Sequence, residues 1–117
     1  MKLREITERL GLSTLSGAGE DSLSTDVRFG HASDLLSDVL ANAPAGCVLV
    51  TIQVHMNVIA VALHAGVAAV IFSSGMVPDE EVKKRATEEK LFLFSSQETT
   101  FTVAGRMYEL GISGAKR

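Results

Sequence analysis

The sequence predicts an α/β fold: a single three-layer domain with a mostly parallel central sheet flanked by helices. Three observations predict it. Residues 48–52 and 67–72 are almost continuously apolar. Strands that do not alternate are buried on both faces, as in a parallel sheet covered by helices. The segment between them, 57–65, carries Val58, Ile59, Ala60, Val61, Ala62, Leu63 and Ala65, so it is apolar nearly all round. Such a helix is buried in the domain or by a second copy of the chain. Residues 47–75 therefore read as strand, polar turn, helix, strand, polar turn, at the roughly 30-residue length of a βαβ unit.

Composition bounds the rest. One domain accounts for residues 1–117. Five Phe, one Tyr and no Trp leave the core to Val, Leu, Ile and Ala. A net charge of −3 argues against a nucleic-acid partner, which needs a clustered positive field. The basic run Lys83-Lys84-Arg85 is flanked by Asp79-Glu80-Glu81 and Glu88-Glu89 and reads as a solvated helix face. The single cysteine, Cys47, forbids an internal disulfide and suits a reduced, cytoplasmic compartment. It opens a strand and is expected to act as a small hydrophobe. Residues 1–5 lack the apolar region of a signal peptide. No membrane span is expected, because Gln53, His55, Asn57, His64 and Gly66 interrupt 48–72.

In chain order, Leu3, Ile6 and Leu10 form one helical stripe, stopped by Gly11. Residues 12–15 read as a short strand, and 16–25 as a Gly/Ser/Asp loop. Gly17-Ala18-Gly19 has Ser22 where a dinucleotide fingerprint needs its third glycine. Residues 26–31 alternate as a half-exposed strand. Ser33 or Asp34 is expected to cap a helix with Leu35, Leu36, Val39, Leu40 and Ala43 on one face, ended by Pro44. Pro78 opens the next helix, with Val82 and Ala86 inward and Asp79–Lys83, Glu80–Lys84 and Glu81–Arg85 as expected i,i+4 pairs. Residues 90–94 give another strand. In the last helix, from Thr99 or Thr100 to about 110, Phe101, Ala104 and Tyr108 form the expected inner stripe, widened by Val103, Met107 and Leu110. Residues 113–117 are expected to fray.

Ligands of open parallel sheets sit outside the carboxyl ends of the strands, near free helix N–H groups. Three such ends carry small hydrogen-bonding side chains: Gln53, His55 and Asn57; Ser73, Ser74 and Gly75; and Ser95, Ser96, Gln97, Thr99 and Thr100. Together they are a candidate cradle for a small anion or nucleotide, or else simply cap helices and fill turns. His55 is expected neutral beside a helix N-terminus, while His64 lies on the opposite side of that helix and His31 stands alone. No Cys/His cluster has zinc spacing, so no metal and no cofactor is expected. The phosphate loop and the nucleophile elbow are both missing, and Glu98 is the only acid expected beside the edge. No catalytic residue is assigned.

These residues also resemble a known family. The run Leu35-Leu36-Ser37-Asp38-Val39-Leu40, the unit from Val50-Thr51-Ile52-Gln53 through Asn57, Ile71-Phe72-Ser73-Ser74-Gly75, Pro78-Asp79-Glu80-Glu81-Val82 and Thr99-Thr100-Phe101 look like the DRTGG domain over residues 1–110. The family is similar in fold to the N-terminal domain of HPr kinase/phosphorylase and also occurs within pyrophosphatases with CBS domains. The resemblance implies a dimerising, regulatory, non-catalytic module. Kinase activity is not implied, since the phosphate loop is missing. Where the family shows Asp-Arg this chain has Val54-His55, and where it shows Thr-Gly-Gly it has Ser73-Ser74-Gly75. Stand-alone members resemble proteins encoded beside iron hydrogenase subunits. The expected function is thus a homodimer that binds a small anionic ligand or nucleotide at the sheet edge. The alternative is an interaction domain without ligand, accessory to an iron hydrogenase or another anaerobic redox complex.

Overall fold

The computed structural model describes residues 1–17 and 23–115. Its elements are α1 (Leu3–Leu10), β1 (Ser13–Ser16), β2 (Gly30–Ala32), α2 (Leu36–Asn42), β3 (Val48–Thr51), α3 (Asn57–Ala65), β4 (Ala69–Phe72), α4 (Glu80–Glu88), β5 (Phe92–Ser95) and α5 (Thr100–Glu109). The sheet order is β1-β5-β4-β3-β2. Strands β2 to β5 are parallel neighbours, and β1 joins antiparallel to β5.

This order fixes the layers. Each crossover from one parallel strand to the next is right-handed in nearly all proteins. Three successive crossovers in one direction therefore put α2, α3 and α4 on the same face. There Val39, Val58, Ile59, Ala62, Val82 and Ala86 pack on Leu49, Val70, Phe72 and Leu93. On the other face Leu3, Ile6 and Leu10 of α1 and Val103 and Met107 of α5 pack on Val48, Val50, Ala69, Ile71, Phe92 and Phe94. The apolar runs in β3 and β4 are thus explained residue by residue: alternate side chains enter different cores.

Several local expectations need correction. Leu35 and Leu40 are exposed, and α2 buries only Val39. Its N-cap is Leu35, without a side-chain cap; the Ser33 hydroxyl accepts the Leu35 N–H at 3.2 Å, while Asp34 is used elsewhere. Asp79 caps α4 by accepting the Val82 N–H at 3.1 Å, which draws it away from Lys83. The ion pairs that form on α4 are Glu80–Lys83 and Arg85–Glu89. In α5, Val103 and Met107 face the sheet, whereas Phe101 and Tyr108 point to solvent, 89% and 71% exposed. The strand expected at 26–31 is shifted to β2, and Ser113 pairs beside it: Gly30 N–H donates to Ser113 O at 2.9 Å. The tail is therefore tied down at 113. The Gly17-Ala18-Gly19 reading and part of the 16–25 loop fall outside the described residues, as does the end of the tail. Among the described residues, no helix is long and apolar enough to cross a membrane.

Candidate functional site

The carboxyl ends of β2 to β5 lie side by side, and a chain of polar contacts joins the first two. Asp34, just past β2, accepts from the Thr51 hydroxyl at 2.9 Å and from the Ile52 N–H at 2.8 Å. Thr51 in turn accepts the Gln53 N–H at 3.0 Å, and Gln53 Oε1 accepts the His55 N–H at 3.2 Å. His55 Nδ1 accepts the Asn57 N–H at 3.0 Å, which covers one of the orphan donors at the start of α3. A ring nitrogen can accept only when it carries no proton, so this cap requires His55 to hold its proton on Nε2.

At the next two ends the chain diverges. The connection after β4 leads to α4 on one face, and the connection after β5 leads to α5 on the other. In open sheets a ligand crevice forms where neighbouring connections part in this way. Here the two loops bridge the gap with backbone bonds. Ser74 N–H donates to Glu98 O at 2.7 Å, and Gly75 N–H to Ser96 O at 2.8 Å. The Ser73 and Thr100 hydroxyls bond to each other across the same gap. Residues 73–76 form a tight turn, with φ of 57° at Ser74 and 70° at Gly75 and Met76 N–H on Ser73 O at 3.1 Å. Positive φ at both central residues is the pattern of a type I′ turn. A Cβ on Gly75 would lie 2.9 Å from the amide oxygen of the exposed Gln97 side chain, which would have to move aside.

The structure thus gathers the eleven sequence-selected residues along one edge but presents them unequally, with Gln97 exposed. His55, Asn57, Ser74 and Thr99 face solvent; Gln53, Gly75 and Thr100 are half-buried; Ser73, Ser95 and Ser96 are buried. Ser96 accepts the Glu98 N–H, and Thr99 caps α5 through the Thr102 N–H. Val54, where the family shows the first residue of Asp-Arg, is half-buried and packs against the core on the α2–α4 face.

Two side chains at the edge were misjudged. Glu98 is not the only acid there, since Asp34 joins it. Its position just after a strand was the available signal, hidden because that strand was placed too early. Both acids are compensated: Asp34 by its two donors, Glu98 by Arg106 at 3.0 and 3.1 Å. Arg106 also donates to Arg9 O at 2.7 Å and so ties the β5–α5 loop to α1. His31 does not stand alone either. Its Nε2 lies 2.8 Å from Asp38 Oδ2, and Asn42 donates to Asp38 Oδ1 at 2.8 Å. The Asn42 and His31 hydrogen bonds hold the Asp38 carboxyl down at about 2.

Away from the edge, a cavity of about 110 Å³ opens between β2 and α5, lined by Ala32, Val50, Ala104, Met107, Tyr108 and Ile112 among others. It exists because β2 offers Gly30 and Ala32 to α5. A wider, charged groove of about 510 Å³ runs between α3 and α4. Cys47 is fully buried, and burial pushes its thiol up to about 11. Among the described residues, no group of three or more His, Cys, Asp or Glu side chains is placed to hold a metal.

Comparisons with known proteins agree with this fold. The family model of the DRTGG domain matches residues 5–110. A crystal structure of the CBS and DRTGG domains of the regulatory region of Clostridium perfringens pyrophosphatase, complexed with the activator diadenosine tetraphosphate, superposes with a TM-score of 0.73 at 14% identity. The alignment covers 91% of this chain and 45% of that one, so this chain spans less than half of that structure, and the likeness is one of fold. No curated protein matches the sequence.

Proposed function

The chain belongs to the DRTGG domain family, and from that premise we propose that it is a non-catalytic, cytoplasmic regulatory domain. It works as a homodimer and binds a small anionic ligand, such as a nucleotide, at the carboxyl edge of the sheet. The observation that supports the ligand site is the parting of the β4 and β5 connections to opposite faces, with the α5 N-terminus beside the Ser73–Gly75 turn. Ligand phosphates would meet His55, Asn57, Ser74 and Thr99, which face solvent, while the buried Ser73, Ser95 and Ser96 hold the floor. None of these residues is a lysine or arginine and their backbone N–H groups at 55, 57, 74 and 75 are engaged, so recognition rests on the side chains of His55, Asn57 and Ser74 and favours a modest affinity. The pyrophosphatase relative, crystallised with a nucleotide activator, supports a nucleotide as the first ligand to try.

Thermal unfolding with ATP, diadenosine tetraphosphate and inorganic phosphate at millimolar concentration tests this reading. A ligand at 100 times its Kd adds about 2.7 kcal/mol of stability, a shift of several degrees. Replacing His55 and Ser74 together by Ala should remove the shift and leave the fold intact. An unmoved melting temperature with every probe overturns the ligand site and leaves an interaction domain.

A further inference from the structure

We infer that the outer edge of β2 is a base-recognition site, where the Gly30 C=O and the Ala32 N–H read the Watson–Crick edge of adenine. The inference rests on the nucleotide of the proposed function and puts its base at the β2 end of the same carboxyl edge. Strand alternation exposes the pair. Phe29 O accepts the Val48 N–H at 3.0 Å, and the Ser33 N–H donates to Val50 O at 3.1 Å. Residues 29, 31 and 33 therefore turn their backbone groups to β3, and 28, 30 and 32 turn theirs outward. Ser113 takes up Arg28 O at 3.3 Å and the Gly30 N–H at 2.9 Å. Among the described residues, no hydrogen bond takes up Gly30 O or the Ala32 N–H. The strand itself, Gly30-His31-Ala32, carries none of the Lys or Pro guards usual on an edge.

The surroundings select the occupant. Space opens on both sides of the pair. On the α5 face lies the apolar cavity of about 110 Å³. Beyond the strand edge a groove of about 420 Å³ runs among Gly30, Ala32, Ala41, Asn42, Gly114 and Ala115. A closed cavity of about 150 Å³ holds a benzene molecule, so the groove has room for a two-ring base. No lysine or arginine lines either space, which favours an uncharged group over a phosphate. A peptide strand fits poorly. It would need the outward groups of Arg28 and Gly30 that Ser113 holds, and the chain leaves the sheet after Ala32. One acceptor and one donor remain, on alternate residues of the same edge. A single residue of an added strand would answer them with its N–H and C=O. Adenine answers them with its N6–H and N1, neighbours on one edge of a flat ring. Hypoxanthine has nearly the same shape with the two roles exchanged, so this pair rejects it.

Titration of the isotope-labelled chain with adenosine, inosine, ATP and inorganic phosphate at millimolar concentration, followed by amide NMR, tests the site. Adenosine should move the Ala32 amide resonance and bind at least about 10-fold more tightly than inosine, because the exchange of roles costs two hydrogen bonds. ATP should move the same amide, and inorganic phosphate should leave it in place. Ala32→Pro removes the donor at an edge position that tolerates proline, and should weaken adenosine roughly 2- to 10-fold. The comparison of adenosine with inosine is made on the wild type and decides the matter even where that variant folds poorly. Equal binding of the two nucleosides overturns this site. So does an Ala32 amide that stays in place while the resonances of His55, Asn57 or Ser74 move with ATP, and the ligand edge then stands without it. A spectrum that no probe changes overturns both this site and the ligand reading.

Discussion

Ser74 is the residue that shows what a family motif is for. It holds φ at 57° in the turn that joins β4 to its loop. L-residues other than Asn and Asp enter this region at a cost of roughly 1–2 kcal/mol, and glycine enters it freely. The glycine that the family shows at this place is therefore a backbone requirement, and this chain meets it under strain. Ser74→Gly should raise stability by about 0.5–1 kcal/mol in urea denaturation, less than the full strain because glycine loses more entropy on folding. A fall in stability would mean that the Ser74 side chain contributes more than its backbone costs. The neighbouring Gly75 holds φ at 70° and meets the same backbone requirement with the residue that suits it. Sequence could place both residues in a turn. It could not show that both take positive φ, because the turn is held by backbone bonds to Ser96 and Glu98 in another loop.

At the scale of elements, α5 marks the limit of periodicity. Phe101, Ala104 and Tyr108 repeat at helical spacing, and so do Val103, Met107 and Leu110. Both stripes are apolar, so spacing alone does not say which one the sheet takes. Packing does: the β2–β3 floor accepts Val103 and Met107, and the larger aromatic stripe is left outside. The α2–β2 pair had the opposite problem. No role was legible for Asp38 and Asn42 in the sequence, yet Asp38, braced by Asn42, fastens α2 to His31 on the edge strand. The folded-state value of the Asp38 carboxyl, about 2, lies below its ordinary value near 4. Its contribution to stability is therefore complete above about pH 4 and is lost as pH falls toward 2. The stability gap between wild type and Asp38→Asn should narrow as pH falls from about 4 to 2. A gap that does not change with pH would show that the carboxylate charge plays no part.

For the whole molecule, the sheet divides the apolar interior into two cores of comparable size. Ile6 of α1 and Ile59 of α3 are both buried, one on each side. Each Ile→Val change should cost about 0.5–1.5 kcal/mol. The two should add within about 0.5 kcal/mol, because no atom is shared between the sites. Urea unfolding of both single variants and the double variant checks this, and strong non-additivity would mean that the sheet transmits strain from face to face. The layered parallel fold was legible because its central strands are buried on both faces and cannot alternate. The edges were less so. β1 runs antiparallel, β2 is three residues long, and Ser113 reaches back to pair beside it. Such edge pairings join distant parts of the chain and leave little local pattern.

The burial of Cys47 turns the chain into its own clock. A thiolate is the form that attacks a disulfide reagent, and this thiol is both enclosed and held protonated. It reacts only when the start of β3 leaves the sheet. With a single sulfhydryl in 117 residues, each labelled molecule has made at least one such excursion. The dependence of the labelling rate on denaturant then separates a local breath of the strand from the loss of the whole domain. A cysteine placed on any exposed loop can meanwhile be tagged selectively, with the native sulfur silent beneath it.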